Sequence, residues 1–122
     1  MPISYTLDRS RSLVRTRCTG EVRFPEVLAH FDHLQRDPER PWQLDVLLDF
    51  SGLATTPGIP EARGVAYRIQ HKLDFGFERC AVVAGGESEV KAARMFQEMC
   101  RTAFTQVQIF PDTSAAESWL AR

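Results

Sequence analysis

The chain of 122 residues is 43% hydrophobic and carries a formal net charge of −1, from 15 basic and 16 acidic side chains. This size predicts one domain with a proper core, and the balanced charge argues against a nucleic-acid-binding protein and against a disordered acidic chain. The three cysteines form no CxxC pair and predict buried thiols in a reducing compartment. No apolar stretch approaches the roughly 20 residues of a membrane span, so we expect a cytoplasmic protein without a transmembrane segment.

The opening residues predict a two-stranded hairpin. Residues 3–7 and 13–19 alternate apolar and polar side chains, and a polar turn over residues 8–12 joins them. The hairpin leaves an edge strand, which favours a homodimer as one oligomeric state. Its arginines are interpreted as a solvated face, and the alternative is a patch that binds anions or RNA. These arginines are Arg9, Arg11, Arg15, Arg17 and Arg23.

After the hairpin, every predicted strand is followed by a helix. In the last helix, Ser114 and Glu117 have the spacing of a capping box. The order β-β-α-β-α-β-α-β-α predicts a single α/β domain over residues 1–122, a mixed sheet of about five strands flanked by about four helices. The strands are predicted at residues 44–50, 79–84 and 107–110, and the helices begin near Pro25, Pro60, Glu87 and Pro111, the third running to about residue 104.

The most informative segment lies at the end of the strand at residues 44–50. An apolar run ends in Asp-Phe-Ser-Gly, and buried parallel strands deliver polar groups in this way to the ligand-facing edge of a sheet. One carboxylate without a second acid, a base or a metal ligand is insufficient for catalysis, so we expect a binding loop and not an enzyme. In the simpler interpretation, Asp49 accepts N–H bonds from the loop and Ser51 shapes the turn. The loop residues are Asp49, Ser51, Gly52, Thr55, Thr56 and Gly58, and the candidate phosphorylation sites are Ser51, Thr55 and Thr56.

A second candidate contact lies at Gly85, Gly86 and Ser88, between a predicted strand and a helix. Free N–H groups and the helix dipole at such a place favour an anion or another ligand. The simpler interpretation is that the glycines make the turn and leave Ser88 or Glu87 to cap the helix. Glu87 and Glu89 in the first turn favour this second interpretation.

The remaining reactive residue types give no assembled catalytic or metal-binding set. His30 and His33 have a spacing that two ligands of one metal can adopt, but no further ligand motif lies near them. The cysteines Cys18, Cys80 and Cys100 lie in apolar patterns that indicate small core residues. We therefore expect no metal, no cofactor and no catalytic residue.

Three segments resemble the SpoIIAA-like group of the STAS domain family, small bacterial proteins of the STAS/SEC14 type related to anti-sigma-factor antagonists. Their order and spacing carry the resemblance over nearly the whole chain. The resemblance implies an α/β domain with a mixed sheet flanked by helices. The segments are Leu47–Gly52, then Phe77–Gly85 of the form F-x-R-x-A-V-V, and Val107–Ala116 followed by Trp119 and Leu120.

In anti-sigma antagonists the resemblance implies a serine that a partner kinase phosphorylates, at the start of the second helix. The corresponding segment here is residues 56–60, and Gly58 stands in place of the serine. The phosphorylation switch of that family is therefore not carried over. The SEC14 side of the resemblance implies a lipid or another small ligand.

Two hypotheses follow for the function. The first is a non-enzymatic regulatory module that binds a protein partner through the loop Asp49–Pro60 and the helix after it. The alternative is a small-molecule or lipid-binding domain that uses the cleft between the loops Asp49–Gly58 and Gly85–Ser88. The predicted lining of this cleft is Tyr67, Phe75 and Phe77. A small hydrolase or transferase is a third and weaker alternative.

Overall fold

The computed structural model describes residues 3–22, 24–39, 43–53, 77–100 and 104–121. The helix predicted from Pro60 and the loop residues Thr55, Thr56 and Gly58 lie outside these ranges. The described elements are β1 (Ile3–Asp8), β2 (Leu13–Gly20), α1 (Phe24–Gln35), β3 (Leu44–Leu53), β4 (Phe77–Val83), α2 (Glu87–Cys100), β5 (Gln106–Phe110) and α3 (Thr113–Leu120).

The five described strands form one mixed sheet in the order β1-β2-β3-β4-β5. Strand β1 is antiparallel to β2, as the predicted hairpin requires, and every other neighbouring pair is parallel. Parallel neighbours need a crossover connection, and α1 and α2 lie in two of these connections. The predicted α/β class and the mixed five-stranded sheet are confirmed.

The two faces of the sheet carry two separate apolar clusters, because successive side chains of a strand point to opposite sides. On one face, α1 and α2 contribute Phe31, Leu34 and Phe96, which are buried against alternate residues of the central strands. On the other face, Ala116 and Leu120 of α3 cover a smaller cluster. Burying each of the large side chains stabilises the fold by about 1.5–3 kcal/mol. The strand residues of the smaller cluster are Leu13, Leu47, Ala81 and Val83.

Strand β3 continues three residues beyond its predicted end, so that Ser51 and Gly52 belong to the strand and not to the turn. The reason is that β2 also continues and, after a register shift, pairs Thr19 with Gly52. A Cβ atom on Gly52 would lie 2.9 Å from Thr19 Cγ2 and 3.1 Å from the Cys18 carbonyl oxygen. A glycine is therefore what lets β2 approach β3 this closely.

Helix α2 is described over Glu87–Cys100, whereas its predicted end lies near residue 104. Phe104 lies beyond the helix, and its ring stacks on that of Phe77 in the core, with centroids 5.5 Å apart and planes at 13°. Phe31 contacts both rings, at centroid distances of 5.5 and 6.1 Å. Phe77 is thus a core residue, so it does not line a ligand cleft.

The start of α3 differs from the predicted capping box. The N–H of Ala115 donates to Asp112 Oδ1 at 2.8 Å, which makes Asp112 the N-cap. The carboxylate of Glu117 instead accepts bonds from Arg15 and Arg11. The prediction that Ser114 and Glu117 cap this helix was wrong.

Arg79 connects the end of α3 to two strands. Its Nη2 lies 2.7 Å from Asp45 Oδ2 on β3, and the Arg79 backbone N–H also donates to Asp45, at 3.1 Å. The same guanidinium donates to the last carbonyls of α3, those of Trp119 at 3.3 Å and Leu120 at 3.0 Å. Its Cζ lies 5.3 Å from the centroid of the Trp119 ring. These contacts satisfy helix carbonyls that have no partner within the helix.

Candidate functional site

Asp49 lies near the carboxyl end of β3, on the face of the sheet that α3 covers in part. Its side chain is half-buried, and Asp49 Oδ1 accepts the backbone N–H of Ser51 at 2.9 Å. Ser51 itself is exposed. The carboxylate therefore makes the local N–H bond that the simpler interpretation predicted, and the Ser51 side chain is accessible at the same end of the strand.

A cavity of about 270 Å³ opens beside Asp49, between the first three strands and the start of α3. Arg17 stands directly opposite Asp49 in the register of β2 and β3. Thr113, in the first turn of α3, lines the side of the cavity that faces this helix. This space, here called the Asp49 cavity, is lined by Ser4, Tyr5, Thr6, Arg15, Thr16, Arg17, Leu47, Asp49 and Thr113.

Ion pairs fix one side of the Asp49 cavity. Arg15 Nε lies 2.6 Å from Glu117 Oε1, and Arg15 Nη1 lies 3.5 Å from Asp8 Oδ2. Arg11 joins the same cluster, 3.1 Å from Glu117 Oε2. Because of the hydrogen bond from Arg15, the pKa of Glu117 is lowered, and the pKa of Arg15 is raised for the same reason. These two arginines hold α3 against β2 rather than forming an open anion-binding patch.

The other hairpin arginines differ in their surroundings. Arg9 forms an exposed ion pair with Glu39 at 2.9 Å, and such pairs contribute little to stability. Arg17 is exposed and lines the Asp49 cavity. Arg23 lies outside the described residues.

The turn at Gly85 and Gly86 is occupied by the protein's own carboxylate. The Gly86 N–H donates to Glu89 Oε2 at 2.8 Å, and the Val90 N–H donates to the Gly86 carbonyl at 2.9 Å. Glu89 thus fills the place where an anion would meet the start of α2. Ser88 is exposed at this end of the helix. The glycines make the turn, as the simpler interpretation predicted, but the side chain that accepts the Gly86 N–H is that of Glu89 and not that of Glu87.

A second cavity, of about 530 Å³, lies next to this turn. Basic side chains of α2, Lys91 and Arg94, contribute to its lining. It shares no lining residue with the Asp49 cavity. The described residues of the two loops thus line different cavities, and residues 54–58, which form the rest of the predicted cleft, lie outside the described part of the chain.

Buried titratable groups lie on the opposite face of the sheet. Burial lowers the pKa of His30 to about 4, and its Nε2 lies 2.9 Å from the hydroxyl oxygen of Thr16. Burial raises the pKa of the Cys18 thiol to about 12, so this cysteine stays protonated and is a poor nucleophile. Among the described residues, no group of three or more His, Cys, Asp or Glu side chains could hold a metal ion. None of the described helices is long and apolar enough to span a bilayer.

The cavity residues contributed by the hairpin and by α3 were not singled out from the sequence. Ser4 and Thr6 show only the alternation of a strand, and Thr113 follows a turn. The signal that could have found Arg17 is the register of β2 against β3, which places it opposite Asp49. The sequence pattern does not fix that register, because a shift by two residues keeps the same side chains on the same face.

The arrangement of strands and helices is a fold already known from other proteins. One solved structure, an uncharacterized DUF3478-family protein with a SpoIIAA-like fold from Shewanella loihica PV-4, superposes with a TM-score of 0.62. The match covers 97% of this chain and 93% of that chain at 18% sequence identity. The chain therefore has a SpoIIAA-like fold, as the resemblance predicted. No protein-family model and no curated protein sequence matches it.

Proposed function

We propose that this protein is a non-enzymatic regulatory module of the STAS type that binds a protein partner. The binding surface is the segment Asp49–Pro60 with the helix predicted after it. The observation that supports this most directly is the end of β3, where a half-buried Asp49 and an exposed Ser51 stand side by side. Polar groups presented in this way at the carboxyl end of a parallel strand are typical of a binding edge.

The chemistry of the Asp49 cavity supports binding over catalysis. Its side chains supply one carboxylate, two guanidinium groups and several hydroxyls. General acid–base catalysis works best with groups that titrate near neutral pH, or with two carboxylates whose environments differ. Arginine and aliphatic hydroxyl groups do not supply such a pair, whereas all of them form hydrogen bonds to a bound surface.

Phosphorylation of Ser51 would regulate this surface. A phosphate adds roughly two negative charges, and here it would stand beside the carboxylate of Asp49. The like charges repel one another, so the strand end and the loop after it would be displaced. Thr55 and Thr56 are further candidates for the same modification, and Gly58 offers no hydroxyl.

The test compares the partners retained by the wild-type protein with those retained by two variants, in lysate of the source cells. Asp49→Lys reverses the charge at the strand end, and Ser51→Asp mimics a phosphate. We expect a specific partner to be recovered at least about tenfold less with either variant, since truncating one buried polar contact commonly costs 1–3 kcal/mol. Quantitative mass spectrometry of the eluates measures this.

Gln106→Lys is the matched control, because Gln106 is an exposed strand residue on β5, far along the sheet from Asp49. Recovery of the same partners by wild type, Asp49→Lys and Ser51→Asp alike would overturn the proposal. The second candidate function, binding of a small polar ligand, rests on the 270 Å³ of the Asp49 cavity. Native mass spectrometry of the same purified proteins would then show an added mass on wild type that Asp49→Lys lacks.

A further inference from the structure

Within the described residues, the outer edge of β1 pairs with no other strand and carries few of the usual protections. Among the described strands, β1 pairs only with β2, in an unbroken register from Ile3 to Asp8. The stretch Ile3–Leu7 contains no charged residue, no proline and no bulge. Natural proteins normally blunt such an edge with one of these devices, since free N–H and C=O groups pair with another strand.

At the opposite edge of the sheet, formed by β5, a side chain bonds to the strand backbone. The side-chain amide of Gln97 on α2 donates to the carbonyl oxygen of Val107 on β5, at 2.8 Å. A side chain therefore already occupies part of the β5 backbone. No comparable contact to the β1 backbone is found among the described residues.

Contacts from α1 and from the residues just after it also hold β1 in a fixed conformation. The Tyr5 hydroxyl donates to Asp37 Oδ2 at 3.0 Å, and the Tyr5 ring lies 5.3 Å from the ring of His30. A strand that is already ordered loses little conformational entropy when another strand pairs with it. The edge is thus preorganised for addition of a strand.

We propose that this edge is a dimerisation surface, on which β1 pairs antiparallel with β1 of a second copy to form one continuous sheet. The side-chain pattern is self-complementary. Ile3, Tyr5 and Leu7 lie on the face of α1, whereas Ser4 and Thr6 lie on the other face. A two-fold axis beside Tyr5 sets Ile3 against Leu7 and Ser4 against Thr6, so apolar residues meet apolar ones and hydroxyls meet hydroxyls.

The two different faces of β1 favour the antiparallel arrangement. The outer edge of β1 can meet the same edge of a second copy antiparallel, with α1 of both copies on one side of the joined sheet, or parallel, with the two α1 helices on opposite sides. Only the antiparallel arrangement sets Ile3, Tyr5 and Leu7 of one copy against the same residues of the other. This self-complementary pattern favours a second copy over an unrelated strand.

The experiment is light scattering on the purified full chain over a series of protein concentrations. We expect the mass to rise from that of one chain to that of two at micromolar concentrations, since an edge-strand interface is small and its dimers are weak. Thr6→Lys places an exposed charge at the joined edge, where it repels its counterpart, and should raise the dissociation constant at least about tenfold.

Three further variants make the result specific. Ser4→Lys repeats the test at the other exposed position of β1, and circular dichroism confirms that both variants fold. Gln108→Lys on the β5 edge and Asp49→Asn in the cavity should leave the dimer unchanged, which separates this proposal from the proposed function. A monomer at every concentration, or a dimer that persists in both β1 variants, would overturn the proposal.

Discussion

His30 shows how one buried side chain links stability to pH. Its ring is 8% exposed, and the rings of Tyr5 and Phe31 lie 5.3 and 5.2 Å away. Its pKa is lowered from 6.5 to about 4, mainly by burial and to a smaller extent by the charge of the nearby His33. The folded protein therefore holds His30 neutral over a pH range in which the unfolded chain takes up a proton.

We expect the free energy of unfolding to fall as the pH drops from about 6.5 to about 4. In this range the unfolded state binds the proton and the folded state does not, so protonation favours unfolding. The loss reaches about 3 kcal/mol, at about 1.36 kcal/mol for each unit of pKa difference. Urea titrations at a series of pH values measure it. The slope should flatten in His30→Gln and persist in His33→Gln, and an unchanged slope in His30→Gln would contradict the assignment.

At the residue scale, the sequence predicted which side chains lie on a polar face better than it predicted which residues they contact. The hairpin arginines were correctly placed on a polar face, but Arg15 pairs with Glu117, which is 102 residues away. Nothing local in either segment encodes that contact, because it depends on how α3 lies across the sheet. For Asp49 the predicted bond is made within two residues, to the Ser51 N–H, and there the sequence was sufficient.

At the scale of elements, the strands and helices within the described ranges were predicted from their periodicity, and their ends were not. Strand β3 runs three residues further because β2 extends alongside it, which is a tertiary effect. At the start of α3, Asp112, Thr113 and Ser114 all have side chains that cap helices. Spacing alone could not choose among them, and only the bond from the Ala115 N–H identifies Asp112.

Removal of the Asp112 cap should destabilise α3. Asp112→Ala deletes the acceptor for the Ala115 N–H, and loss of an N-cap costs about 1 kcal/mol. Ser114→Ala is the matched control, since Ser114 is exposed and should change the stability by less than about 0.5 kcal/mol. Thermal unfolding followed by circular dichroism compares the two. Equal losses would restore the capping-box interpretation.

At the scale of the whole molecule, Arg79 ties together parts of the chain that are distant in sequence. It connects β3, β4 and the end of α3 through Asp45 and the Trp119 and Leu120 carbonyls. Two of the segments that carry the STAS resemblance contain Arg79 and Trp119. The resemblance thus rests in part on both residues, whereas their contact was seen only in the structure.

Arg79→Ala should lower the free energy of unfolding by about 2–3 kcal/mol. The change leaves the half-buried Asp45 carboxylate without its ion pair and the α3 carbonyls without their donor. Arg94→Ala is the control, since Arg94 is exposed on α2 and should cost less than about 0.5 kcal/mol. Urea denaturation measures both. A double variant with both Arg79→Ala and Asp45→Ala tests the cause. If it were no more stable than Arg79→Ala alone, the unpaired Asp45 carboxylate would not explain the lost stability.

The placement of α3 has a consequence for how the protein is made. All five described strands emerge from the ribosome before α3 does, and three of them carry the apolar residues that α3 later covers, namely Leu13, Leu47, Ala81 and Val83. Until residues 113–120 have left the exit tunnel, the apolar residues that α3 covers stay exposed to solvent on one side of the nascent sheet. Chaperones that recognise exposed aliphatic surface therefore have the longest time to bind on this face of the sheet. A slow codon or a stalled ribosome just before α3 would prolong that exposure and promote aggregation.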